Sequence, residues 1–505
     1  MNEIASHHWR STRPAPLSSA AARGVEFLFG GLHWRAERLI EAAFASEGLV
    51  ARALPTATKQ DLLTGRELAD IGQCCPTSFT TGNLANFLRR EAAEHGSAAV
   101  RERYVFATAG SCGACRFGQY HQSYELALRN IGLDGFRMML LAQDRVEQEA
   151  GAEEAFRLDM PMTLGCIWAV LCGDLIQAME YRTRPYEVEP GAAERATRES
   201  MEILVEAFTN RPKVGRKWGS LAWYLVTPHF VRALRRARAR FDAVEVDRLR
   251  PKPLVKITGE FYLQSVEGEP NYNIHRWLES EGAEVQPAAT AVWLEYLIRF
   301  AVQEVEDRRA TLRHAGARIA AGRFLLRLLR FTHDRLRAAL NDVPHLLPRQ
   351  EELRRLAAPY FHHRMSGGEG DMLIGKAIWA HTHKHAHMIC ELSPYACMPN
   401  TMSIGAMARV LGDHPDLLYA PIEVKGDAEV HALSRCQMIL TEARKRAAAE
   451  FDQALAESGM TLDQARARVA EDPALRQATW RVPHLGRAGT AANLLLHLAG
   501  RRETA

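Results

Sequence analysis

Val25-Glu26-Phe27-Leu28-Phe29-Gly30 is a short apolar run that stops at Gly-Gly, followed by a helical stretch from Trp34 to Ser46 and a second extended run from Leu49 to Leu54. Strand, helix, strand over about thirty residues is the unit from which parallel α/β layers are built, with a right-handed crossover. The rhythm continues with a helix around Thr81 to His95, a strand from Tyr104 to Thr108, a helix from Gln119 to Ile131 and a strand from Phe136 to Ala142. After a leader over 1–20, residues 21–150 therefore read as a first flavodoxin-like or Rossmann-like parallel-sheet domain.

Between Met162 and Asp242 the apolar spacing is helical, which makes 151–250 a helical segment. Strand-like sequence returns at Leu254 to Glu260 and at Ala283 to Val285, with a helical stretch from Asn271 to Glu281 between them. Further strands are predicted over His387 to Leu392 and Leu418 to Val424, so 251–430 reads as a second domain of the same class. An Arg-rich helical insertion over about 291–360 interrupts it. Residues 431–505 form a C-terminal tail, helical to about Ala470 and weakly patterned beyond. The predicted fold class is α/β, with two parallel-sheet domains, large helical insertions and a helical tail.

Charge does not name a partner. Sixty-four Lys and Arg against sixty Asp and Glu leave +4 over 505 residues, and only nine of the basic residues are Lys. That dilute excess predicts no nucleic-acid surface. No secretory signal is evident at the start and no 18-residue apolar stretch is expected to span a membrane, which together predict a cytoplasmic protein without a membrane partner. Nine cysteines in a reducing compartment are then candidates for metal binding, redox chemistry or core filling rather than disulfides.

The cysteines concentrate where strands end. Gln73 to Asn83 places Cys74 and Cys75 just before a helix, where unpaired amides favour an anion and should lower a thiol pKa. Gly110 to Tyr120 carries Cys112 and Cys115 as a C-x-x-C pair directly after the strand ending near Thr108, the end at which open α/β sheets bind ligands. The pair admits a thioredoxin-like dithiol, half a zinc site or iron–sulfur ligation. Zinc is weakened because no second C-x-x-C or H-x3-5-H completes a ligand set. Glu391 to Asn400 sets Cys397 between two prolines in another strand-end loop, with Cys390 just before it.

Other segments read more plainly. Gly370 to Lys376 imitates a phosphate-binding loop, but Ala377 replaces the required Ser or Thr and no strand precedes it, so a Gly-rich turn leading into an apolar helix is expected and no intrinsic ATP site. His381, His383, His385 and His387 alternate as ligands on one strand face would, yet ahead of an apolar run they read as a solvated edge. Cys166, Cys172 and Cys436 lie in apolar helical surroundings and are expected to be packing thiols.

Three of these segments resemble motifs of the 2-hydroxyglutaryl-CoA dehydratase D-component family, and specifically the non-ATPase portion of acyl-CoA dehydratase activase-related proteins. Gln73 to Asn83 is similar to C-x-P-x4-T-G-N/D, Ser111 to Tyr120 to G-P-C-R-F-G-Q-Y, and Pro394 to Asn400 to P-F-G-C-M/L-P-N. Gly259-Glu260 with Asn273, Leu278-Glu279 and Gly282, and Gly368-Glu369-Gly370, resemble its G-E-x-Y and G-E-G segments. Ala114 departs from the family Pro, and Tyr395-Ala396 from Phe-Gly. The resemblance runs from about Gly30 to Leu440.

What the resemblance implies is a cluster, commonly 4Fe-4S, held between domains by Cys74, Cys115 and Cys397, with Cys75 and Cys112 as neighbours of undetermined role. Three thiolates leave one iron open to another ligand. The implied activity is that of a low-potential reductase or acyl-CoA dehydratase-type component, fed by a separate ATP-dependent activase or other low-potential donor, with an acyl-CoA as substrate and a second copy or related subunit as partner. A non-catalytic iron–sulfur electron carrier and a C-x-x-C thiol oxidoreductase are the alternatives.

Overall fold

The computed structural model describes residues 17–70, 72–110, 115–142, 156–214, 218–365 and 369–501. The first sheet comprises β1 (Glu26–Phe29), β2 (Val50–Ala53), β3 (Tyr104–Gly110) and β4 (Met138–Ala142), all parallel, in the order β2-β1-β3-β4. Its helices are α1 (Trp34–Ser46), α2 (Lys59–Leu68), α3 (Cys75–His95), α4 (Ser97–Arg103) and α5 (Tyr120–Asn130). Phe27 and Leu28, adjacent on β1, are both fully buried, because a parallel sheet is covered on both faces.

A helical layer follows: α6 (Met160–Thr183), α7 (Ala192–Thr209), α8 (Trp218–Val226) and α9 (His229–Asp242). Contrary to the expectation of no such stretch, the helical run Met160–Tyr186 is long and apolar enough to cross a membrane, and 78% of its most apolar window is buried inside the protein. Its hydrophobicity serves the core: Leu171, Cys172, Ile176 and Met179 are buried there, and the helix packs against α1, α7 and α8.

The second sheet repeats the first. Its strands β5 (Leu254–Gly259), β6 (Glu284–Gln286), β7 (Met388–Pro394) and β8 (Leu418–Val424) are parallel in the order β6-β5-β7-β8. Between them run α10 (Phe261–Ser265), α11 (Ile274–Ser280), α12 (Thr290–Asp307), α13 (Ala315–Ala338), α14 (Gln350–Ala357), α15 (Gly370–Thr382) and α16 (Met398–Asp413). The tail is α17 (Glu429–Ser458), α18 (Leu462–Glu471) and α19 (Thr490–Leu498). The stretch beyond Ala470 is thus not featureless: α19 buries Leu494, Leu495 and Leu496 in a small core with Phe451 of α17 and Ala465 of α18.

Two local expectations need correction. α3 begins at Cys75 rather than near Thr81, with Cys74 as its N-cap and Pro76 in its first turn, where a missing N–H costs nothing. The His run is no strand edge: His381 lies in the last turn of α15, His383 caps it, and β7 starts only at Met388. His387 turns inward, its Nδ1 accepting from the Leu254 N–H at 2.9 Å. As expected, Gly370 to Lys376 has no loop to wrap a phosphate, since it forms the buried first turns of α15.

Candidate functional site

In each sheet the strand order reverses between two central strands, β1 and β3 or β5 and β7, and at such a switch point the loops leaving the carboxyl ends diverge and open a crevice. Here the two crevices join in one cavity of about 490 Å³. Cys74, Cys115 and Cys397 all line it. Cys115 leaves β3, Cys397 leaves β7, and Cys74 enters from the start of α3. A backbone hydrogen bond from Cys75 N–H to the Tyr395 carbonyl, 3.3 Å, ties the Cys74 segment to the Cys397 loop.

The neighbouring pair at the head of α3 divides by direction. Cys74 faces the cavity, its Sγ 3.0 Å from the Tyr120 hydroxyl and 3.1 Å from Thr77 Oγ1. Cys75 does not line the cavity and packs in the core of the second unit with Phe79, Tyr262 and Tyr272. Cys112 lies outside the described residues. Cys172, Cys390 and Cys436 are fully buried in core clusters, as packing thiols should be, and Cys166 is half-buried beside them.

The expected lowering of the thiol pKa at the helix start is reversed. Burial pushes Cys74 up, although its bonds to Thr77 and Tyr120 oppose the shift. Cys115 is raised to about 12 by burial and then by the carboxyl of Glu369, and Cys397 is pushed up strongly, by burial first and Glu260 next. Withdrawal from water outweighs the helix-end field.

Cys397 is the N-cap of α16, with Pro399 in the first turn, repeating the C-x-P arrangement of Cys74. Its Sγ–H points to Asn400 Oδ1 at 3.4 Å, and Asn400 Nδ2 donates to the buried Glu391 at 3.1 Å. Ser403 and Tyr419 complete the carboxylate's partners at 3.1 and 2.9 Å. Ala396 stands at φ +63°, a left-handed conformation that favours glycine, the residue found at this place in the motif the segment resembles.

Residues that sequence reasoning did not assign a role complete the lining. Glu37, Glu260 and Glu369 face the cavity. Burial raises Glu37 to about 8 and Glu260 to about 7, and raises Glu369 as well. Glu260 also caps α10, accepting from the N–H groups of Tyr262 and Leu263 at 3.1 and 3.0 Å. Two of the three stood in the G-E segments already singled out, whereas Glu37 had no signal beyond its place after Gly30-Gly31. Trp293, Tyr296 and Phe300 of α12 supply an aromatic wall at helical spacing. Arg116 is the only cationic side chain in the lining among the described residues.

No protein-family model matches the chain, and no curated protein matches it in sequence. Among the described residues no three His, Cys, Asp or Glu side chains come together closely enough to hold a single metal ion. The three thiols instead border one wide space, a placement suited to a group larger than one ion. Ionising all three beside raised carboxyls calls for a guest with substantial positive charge, and an iron–sulfur core meets that requirement.

Proposed function

We propose that Cys74, Cys115 and Cys397 hold an iron–sulfur cluster, of the 4Fe-4S kind, at the junction of the two α/β units. We further propose that the chain works as a low-potential reductase or acyl-CoA dehydratase-type component supplied by a separate ATP-dependent activase. The observation that carries this reading is the lining of one cavity by three thiols drawn from three separate segments, two leaving strands β3 and β7 and one at the head of α3. When bound, the cluster would supply single electrons at a potential set by burial, charge and donors to sulfur.

The chain's own residues do the rest. Tyr120 and Asn400 orient Cys74 and Cys397 through contacts to their Sγ atoms. Arg116 offsets negative charge at the rim. Glu260 and Glu37, with pKa values of about 7 and 8, hold exchangeable protons at the cavity wall near neutral pH, where a reduced substrate needs them. The aromatic wall of α12 excludes water and accepts an apolar group such as an acyl chain.

The cavity beside the cysteines favours a catalyst over a simple electron carrier, which needs no room for a substrate. Burial raises the Cys115 thiol to about 12, so Cys115 itself does not favour the thiolate nucleophile that a thiol oxidoreductase needs. Anaerobic reconstitution, iron and sulfide analysis and electron paramagnetic resonance of wild type and Cys115→Ala test the reading. A cluster signal lost in the variant is expected; unchanged iron content in the variant rejects the ligand assignment.

A further inference from the structure

A second, smaller cavity of about 60 Å³ lies where α6, β5, β6 and the loop between α13 and α14 meet. Lys256, from the middle of β5, lines it. The side chain is only 6% exposed, and among the described residues its ammonium has neither a hydrogen bond nor an ion pair. The ring of Trp379 lies 6.0 Å from Nζ, at the limit of a useful cation–π contact. An unpaired buried ammonium is strongly unfavourable, so a fold that keeps one has a use for it or a partner for it.

The walls add positive charge rather than relieving it. Arg182 lines the same space and stands 2.7 Å from His345 Nε2. Lys376 on α15 opposes the protonation of Lys256, which burial has already pushed down to about 7. Burial and the surrounding cations keep His345 and His385 neutral, so Arg182 carries the standing charge of the site and Lys256 is an amine that a bound anion would hold in its charged form. Asp174 is the one carboxylate in the lining among the described residues, and both its oxygens are engaged. One pairs with His33 Nε2 at 3.0 Å and the other accepts from the Ala291 N–H at 2.8 Å. Gln286, also in the wall, has an amide oxygen buried without a donor.

Two cationic donors and one acceptor lacking a donor describe their complement. An oxyanion accepts from Lys256 and Arg182, and a hydroxyl on that anion donates to Gln286. We propose that this cavity binds a small protonated oxyanion, of the hydrogenphosphate or bicarbonate kind. A water molecule needs roughly 10–15 Å³ of such space, so the volume suits an anion of a few heavy atoms and excludes a nucleotide. Half-buried His345 and exposed Leu346 border the cavity, which gives access without opening the core. The bound anion ties β5 and β6 to the end of α6 and the α13–α14 loop, clamping the helical layer onto the strand that leads into Glu260.

Isothermal titration of the full-length chain with inorganic phosphate, bicarbonate and sulfate, at constant ionic strength, tests the site in wild type, Lys256→Met and Gln286→Leu. One equivalent of phosphate or bicarbonate should bind, the tighter of the two naming the guest, with sulfate at least about tenfold weaker because it brings no hydroxyl. Lys256→Met should weaken binding by more than about tenfold while melting no lower than wild type in anion-free buffer, since the unpaired charge is gone. Gln286→Leu should abolish the preference over sulfate. Failure of both phosphate and bicarbonate to bind wild type overturns the proposal, as does undiminished binding by Lys256→Met. Sulfate binding as tightly as the better of the two overturns the protonated-anion assignment.

Discussion

The two α/β units share a strand order, yet they furnish the cavity unequally. Corresponding positions can be read off directly. Cys115 follows β3 as Cys397 follows β7, Cys74 caps α3 as Glu369 caps α15, and Glu37 in the first turn of α1 and Glu260 at the cap of α10 both come from the segment after the first strand of their sheet. Even the packing glycines correspond. A Cβ on Gly82 of α3 would sit 1.7 Å from the Asp61 carbonyl oxygen of α2, and one on Gly375 of α15 would sit 2.3 Å from the Leu353 carbonyl oxygen of α14. The same helix pair crosses at a glycine in both units, which also explains the Gly-Lys that imitates a phosphate loop. What differs is the chemistry at the cap: a thiol in the first unit, a carboxyl in the second. A shared scaffold thus presents three thiols and three carboxyls around one space.

The largest effect that would break this comparison is on cofactor content. Cys74→Ala, Cys115→Ala and Cys397→Ala should each lose most of the iron measured after anaerobic reconstitution, whereas Cys75→Ala and Glu369→Gln should keep most of it. Retention in any of the first three would remove that residue from the ligand set.

Next come the crossing glycines. Gly82→Ala and Gly375→Ala should each destabilise the chain by about 3 kcal/mol or more in denaturant unfolding, because backbone rather than a movable side chain meets the new methyl. A neutral result at one position would mean that the two helix pairs are not equivalent.

The carboxyls give a pH signature of definite sign. Glu37 has its pKa raised from 4.5 to about 8 by folding, so the folded state holds a proton that the unfolded state has released. Stability of the metal-free chain should therefore be greatest below about pH 4.5 as far as this group is concerned, and fall as pH rises towards 8. Glu260 acts in the same sense up to about 7. Melting temperature against pH should flatten in Glu37→Gln and in Glu260→Gln; an unaltered slope in both would show that these carboxyls are not held neutral.

The smallest effect concerns Ala396. Relieving its left-handed backbone with Ala396→Gly should stabilise the chain by about 1 kcal/mol and leave iron content unchanged. A loss of stability would show that the conformation carries no strain.

The sheets were legible because a buried parallel strand writes a continuous apolar run, as in Phe27 to Phe29, and because Gly and Pro punctuate its ends. α3 was placed six residues late because Cys74-Cys75-Pro76 resembles a turn, whereas Pro belongs equally to the first turn of a helix. α6 escaped notice as a span-length helix because a central core helix and a membrane helix share a composition. In the site, the strand-end cysteines were visible from local spacing. Which of Cys74 and Cys75 faces the cavity depends on helix phase, and the convergence of Glu37, Glu260 and Glu369 depends on contacts more than 100 residues apart in the chain, so neither could be read locally. The expected low thiol pKa failed for the same reason: burial is a property of the whole fold.

The most direct test of the shared site compares Cys397→Ala with Cys75→Ala under anaerobic reconstitution, with iron and acid-labile sulfide counted per chain. Wild type and Cys75→Ala should each carry about four of each, and Cys397→Ala should fall well short. Equal iron in Cys397→Ala and wild type, or none in wild type, would contradict a cluster held between the two units.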